Sequence, residues 1–149
     1  EIKAYQTSNR NEFSPMMDEQ MTFTKQCDVA GDIIYLNPLI LIPEKESPFA
    51  SAERRLPVEF PYKQSETINT VITLPNGYTV EDIPKPIALK FDGINVRIVS
   101  NMNGNQLSTQ FKLNIDKMLF PATEYKDLKP FFARLTECNK SIITIKNSE

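Results

Sequence analysis

The residues able to do covalent or acid–base chemistry are two cysteines, Cys27 and Cys138, and nineteen acids; histidine is absent from all 149 positions. Without imidazole the chain holds no Cys-His or Ser-His dyad and no histidine-containing zinc site. Two cysteines are also too few for a four-cysteine zinc site. Carboxylates alone remain. None is arranged recognisably: Asp28 with Asp32, and Glu81 with Asp82, read as turn caps or solvated surface. A carboxylate enzyme needs two acids facing each other across a cleft, roughly 5 to 9 Å apart in the glycosidase pattern. Four scattered glycines cannot build a phosphate-cradling loop. No catalytic residue, metal ligand or cofactor is therefore assigned.

Cys27 and Cys138 pose the one covalent question. A disulfide between them would close a long loop and contribute about 4 to 5 kcal/mol in the chain-entropy model. The other reading is two separate buried thiols. Sequence separation carries no geometry, and the thiols are the reading preferred. Arg54-Arg55 could bind an anion or a partner, yet such residues more often lay their stems on a sheet edge and solvate their heads. Tyr35 and Tyr62 could be sugar-stacking platforms; flanked by apolar residues, they read better as core or half-buried. The binding candidates are Tyr35, Arg54 and Arg55. The lack of tryptophan weighs against a glycan module.

The elements that must position these residues are read from bulk and pattern. The length suits one domain, and 40% apolar residues suffice for a core. A net charge of −2, with no lysine or arginine cluster beyond Arg54-Arg55, argues against nucleic acid. The longest apolar run, IIYLNPLILI (33–42), is too short for a membrane helix and contains Asn37-Pro38. The first residue is Glu and no signal peptide is seen, so a mature form or an excised piece is expected. Eleven prolines exclude continuous helix and favour short strands between turns.

Asp92-Gly93 and Asn103-Gly104 are favoured hairpin pairs. The first turn sets Phe91 opposite Ile94, Leu89 opposite Val96 and Ile87 opposite Ile98, all apolar and on one face. The second sets Ile98 opposite Thr109, Val96 opposite Phe111 and Ile94 opposite Leu113. Both turns give the middle strand the same inward residues, which predicts an antiparallel meander. Asn76-Gly77 would mix the faces as a hairpin. Leu74–Gly77 reads instead as a type I turn with Pro75 second and Gly77 fourth. Further strands are expected in 67–74 with Ile68, Ile72 and Leu74 inward, in 56–62 as an edge, in two pieces of 33–42, weakly in 21–27, and in 141–146.

Tyr125, Leu128, Phe131 or Phe132, and Leu135 recur at helical spacing, with Thr123 as N-cap. Pro130 predicts a break, with a second helical piece starting beside it. The patterned face needs a cover and a second sheet is the available one. The expected fold is all-β: an antiparallel, immunoglobulin-like β-sandwich of seven to nine strands with one short helix before the last. Residues 31–149 form the sandwich; residues 1–30 are a linker plus a first strand of the same domain.

GDIIYLNPLI (31–40), ERRLPVEFPY (53–62), TLPNGYTVEDIPKP (73–86) and YKDLKPFFARL (125–135), followed by a final strand, occur in that order. This arrangement, from about Gly31 to Lys146, resembles the C-terminal domain of unknown function of bacterial transglutaminase-like proteins. The resemblance implies a catalytic papain-like core elsewhere in the same polypeptide, and an exported, periplasmic or cell-surface setting. The Cys-His-Asp machinery of that core has no counterpart here, so neither cysteine is a nucleophile. The expectation is a non-catalytic accessory domain that packs against the core or positions its protein substrate. An independent glycan- or peptide-binding module is the alternative, and a carboxylate enzyme the third. Partners would be that core and a protein or glycan ligand, with no nucleic acid and no membrane span.

Overall fold

The computed structural model describes residues 1–8, 18–42 and 46–147. In chain order its elements are β1 (Ile2–Ser8), β2 (Asp18–Phe23), β3 (Asp28–Ala30), β4 (Ile33–Leu36), β5 (Val58–Glu59), β6 (Gln64–Thr73), β7 (Tyr78–Val80), β8 (Ile87–Phe91), β9 (Ile94–Asn103), β10 (Gln106–Ile115), β11 (Leu119–Phe120), α1 (Tyr125–Asn139) and β12 (Ile143–Asn147). One four-stranded antiparallel sheet runs β6-β10-β9-β8 and the other β3-β4-β12-β7. Together they make an all-β sandwich with one helix before the last strand. Outside these sheets lie a β1–β2 hairpin and a two-residue β5–β11 ladder.

Asp92-Gly93 closes β8–β9 in the expected register, with Phe91 opposite Ile94 and Leu89 opposite Val96. The next hairpin differs. Asn103 pairs with Gln106, so the turn is Gly104-Asn105, and Ile98 faces Phe111 instead of Thr109. The shift is two residues, which keeps every side chain on its face. Tertiary bonds set it: Asn105 O accepts from Leu74 N at 2.8 Å, and Asn105 Nδ2 donates to Leu74 O at 3.2 Å. Like now meets like, because Thr109 faces Ser100 and Phe111 faces Ile98.

The turn after β6 is also displaced by one residue. Tyr78 N bonds Pro75 O, placing Asn76 and Gly77 at its centre. β6 and β7 do not pair; this turn carries the chain from one sheet to the other. The second piece of 33–42 is not a strand. Asn37 Oδ1 accepts from Leu39 N at 2.8 Å, a local bond that ends β4 and leaves Leu39 and Ile42 as buried loop anchors.

The helix is one piece. Pro130 sits within α1, whose Tyr125, Leu128, Phe132 and Leu135 are buried. Proline removes the donor to the Lys126 carbonyl, but both residues lie on the exposed face, where water can satisfy it. Thr123 lies inside a single 3₁₀ turn, Ala122–Glu124, and does not cap α1.

Two buried clusters fill the inner face. Ile94, Val96, Ile98, Phe111 and Ile115 meet α1 and the loop residues Leu39, Ile42 and Phe49. Phe49, Phe60, Phe91, Phe120, Tyr125, Phe131 and Phe132 touch in a chain of rings 5.0 to 6.0 Å apart. Leu74 and Leu107 meet Ile143 and Ile145 of the second sheet. The second sheet thus covers one end of the first, and the helix with its preceding loop covers the other. Residues 1–30 are divided likewise: β1 is exposed along its length, while β3 pairs with β4 in the second sheet.

Candidate functional site

The sequence-predicted candidates do not converge. Tyr35 lies on β4, opposite Asp28 and Thr144, with 37% of its surface exposed. The Arg54 guanidinium stands 5.7 Å from the Phe49 ring and 5.5 Å from the Tyr125 ring, a clamp over the aromatic cluster. Arg55 is exposed beside it. Tyr62 is exposed as well, contrary to its reading as core or half-buried. Cys27 is half-buried ahead of β3, Cys138 is buried on α1, and both are free thiols. Burial pushes the Cys138 thiol pKa up, which keeps it protonated and poorly nucleophilic.

Among the described residues, two acids are brought together around one lysine. Asp92, in the β8–β9 turn, and Glu124 both accept hydrogen bonds from Lys117 Nζ. The ammonium offsets one of their two negative charges and lies 4.9 Å from the Phe120 ring. This hub ties a hairpin turn to the approach of α1. Among the described residues, no group of three or more Cys, Asp or Glu is placed to hold a metal.

Two surfaces that the linear sequence does not announce are built by strand pairing. The first is a cleft of about 230 Å³ between α1 and the β6 side of the long sheet. Phe60, Phe111, Leu113, Phe132 and Leu135 line it, with Gln64, Glu66 and Asn139 as polar members. The helix contributes Phe132, Leu135, Thr136 and Asn139, one stripe at helical spacing. Thr136 Oγ1 is spent on the Phe132 carbonyl at 2.9 Å. Asn139 is only 6% exposed, and its Oδ1 has no hydrogen-bond partner. Asn37 Nδ2 holds the Asn139 backbone carbonyl at 2.8 Å, locking the helix end to β4. The β6 pairing puts Gln64 opposite Ile115 and Glu66 opposite Leu113, so two polar side chains share the apolar inner face.

The second surface is the outer face of the same sheet. Lys112 lies directly opposite Arg97, and Lys90 sits one strand away opposite Asn95. Asn69, Asn101, Ser108 and Gln110 continue it into a shallow groove of about 460 Å³. The outward positions of β6, β8, β9 and β10 include no Asp or Glu. Directly opposed like charges are unfavourable, and no carboxylate on that face relieves them.

The profile of a domain of unknown function, DUF3858, matches residues 32–145. No curated protein matches. Among solved structures, a putative protease from Parabacteroides distasonis shares the fold with a TM-score of 0.60 at 14% identity, over 76% of this chain. This chain spans 23% of that protein's length. The matched stretch runs from the residue before β4 to the middle of β12, and so includes both four-stranded sheets apart from β3 and the strand's end. The chain belongs to the DUF3858 family.

Proposed function

We propose that this chain is a non-catalytic accessory β-sandwich of an exported bacterial transglutaminase-like protein. It acts at the periplasm or cell surface, packing against the catalytic core or holding that core's protein substrate. The observation that carries the reading is the family match in a chain without a single histidine. In its support, the Asp92 and Glu124 carboxylates are tied to Lys117, and burial raises the pKa of the Cys138 thiol. The fold is shared with 23% of a longer chain, the putative protease, which is in keeping with a domain that occurs within larger proteins. Purified alone, the chain should fold and show no amidase, protease or crosslinking activity. Added to, or deleted from, the full-length protein, it should change KM for a protein substrate more than kcat. Activity in the isolated chain would overturn the reading.

The alternative, an independent module for a cell-surface glycan, is favoured by one feature, the acid-free outer face with Lys90, Arg97 and Lys112 among amides and hydroxyls. It predicts retention on an immobilised uronic-acid polymer and release by salt, with no retention on neutral dextran.

A further inference from the structure

β6 is a ten-residue strand at the margin of its sheet. It pairs with β10 on one side, and no described strand pairs with the other. An open edge presents unpaired backbone donors and acceptors, and only another extended backbone completes such a ladder. Natural sheets blunt edges with proline, lysine, a bulge or an inward-pointing charge; β6 carries the last of these, Glu66, which disfavours an added strand that brings no cation. The β6 sequence QSETINTVIT has no proline and no lysine, and its register with β10 runs without a shift from Gln64 to Thr73.

The same edge borders the apolar cleft, because Gln64 and Glu66 of β6 form its rim. A strand added beside β6 would alternate its side chains and direct every second one over Phe60, Leu113 and Leu135. The polar groups there are the Glu66 carboxylate at the rim and the unpartnered Asn139 Oδ1 within. Both are acceptors. The last turn of α1 adds no basic residue to offset them. A side chain bearing N–H donors and positive charge complements this end of the cleft. A second copy of β6 supplies none, since residues 64–73 contain neither lysine nor arginine and would bring another Glu66.

We propose that β6 and the cleft take an extended foreign polypeptide by strand addition, with an apolar side chain in the cleft and a lysine or arginine against Glu66. The inference deepens the substrate-holding reading and rests on it for the peptide's origin. Binding by the isolated chain tests the surface itself, whereas the KM effect in the full-length protein tests the accessory role, so either can fail alone.

The probe is a blocked heptapeptide, Thr-Leu-Thr-Lys-Thr-Leu-Thr, which places leucine, lysine and leucine on one side of a strand. Its binding is followed by amide chemical shifts of the 149-residue chain. Shift changes should centre on β6, Phe60 and the end of α1. Glu66→Lys, at an exposed position, should weaken binding about threefold to tenfold and reverse the preference toward a peptide with glutamate in place of lysine, with an unchanged melting temperature as the check on folding. Methylating two peptide nitrogens on the edge-facing side should cost about fivefold or more, because each removes a ladder donor. Three results would overturn the proposal: no shift at millimolar peptide, binding indifferent to both the charge swap and the methylation, or self-association of the chain through β6.

Discussion

Ser100 Oγ and Thr109 Oγ1 meet at 2.9 Å across the β9–β10 ladder, buried on the inner face of the sheet. Thr70 lies opposite Thr109 on β6, and its Oγ1 is buried without a partner. The three hydroxyls form a row between the helix-side cluster, marked by Ile98 and Phe111, and the sheet-side cluster, marked by Leu107 and Ile143. Thr109→Val strands the Ser100 hydroxyl and should cost about 1 to 3 kcal/mol in urea unfolding, whereas the pair Ser100→Ala with Thr109→Val should recover part of that loss. Thr70→Val removes an unsatisfied group at constant shape and should be neutral or stabilising by about 1 kcal/mol. A larger loss from Thr70→Val than from Thr109→Val would contradict this assignment.

Gly93 and Gly104 both have positive φ, 74° and 59°, but differ in surroundings. A Cβ on Gly104 meets nothing within 4 Å, while one on Gly93 would fall 2.9 Å from the backbone nitrogen of Lys117. Gly104→Ala should cost about 1 to 2 kcal/mol from the left-handed conformation alone. Gly93→Ala carries that penalty plus a backbone displacement, and its melting temperature should fall well below that of Gly104→Ala. Equal melting temperatures would refute the clash.

Lys117 gives a pH signature. Its hydrogen bonds, to Asp92 first and then Glu124, raise its pKa above the usual 10.5. A folded-state pKa above the unfolded value gives stability that is fully present below the unfolded pKa and is lost as pH rises through the folded one. The stability gap between wild type and Lys117→Met should therefore stay level from neutral pH and shrink above about pH 10.5. A gap that widens in alkali would have the wrong sign. Urea midpoints measured across that range decide it.

Pro130 costs α1 a hydrogen bond on its exposed side. Pro130→Ala restores the donor to the Lys126 carbonyl and should stabilise the fold by about 1 to 3 kcal/mol. Unchanged or lower stability would show that the proline is compensated elsewhere.

Arg54 and Arg55 separate a packed arginine from a solvated one. Arg54→Ala loses the guanidinium over Phe49 and Tyr125 and should cost about 0.5 to 1 kcal/mol. Arg55→Ala should stay within about 0.5 kcal/mol of wild type, as exposed substitutions do. Thermal melts of the two variants check the contrast.

Side-chain parity in the meander was legible in the sequence because alternation on β8, β9 and β10 is nearly unbroken, and any even shift preserves it. The register of β9 on β10 was not, because its turn is held by Asn105 bonding Leu74, a partner 31 residues away. The helix face of Tyr125, Leu128, Phe132 and Leu135 could be read from spacing. Its continuity through Pro130 could not, since solvent exposure decides whether the lost bond is tolerated. The cleft was hidden for a related reason. Gln64 and Glu66 look like ordinary surface until pairing with Ile115 and Leu113 sets them on the inner-face side of β6, at the rim of the cleft. Lys90, Arg97 and Lys112 are far apart in sequence, and only two ladders make them neighbours.

The hydroxyl row gives the molecule two centres of cohesion, spanned by β6, β9 and β10 like planks across a gap. Repacking in the helix-bearing half need not disturb the packing of the other, because no buried side chain is shared by the two clusters. A graft that exchanges α1 and its loop for those of a distant relative has a natural joint at which to cut.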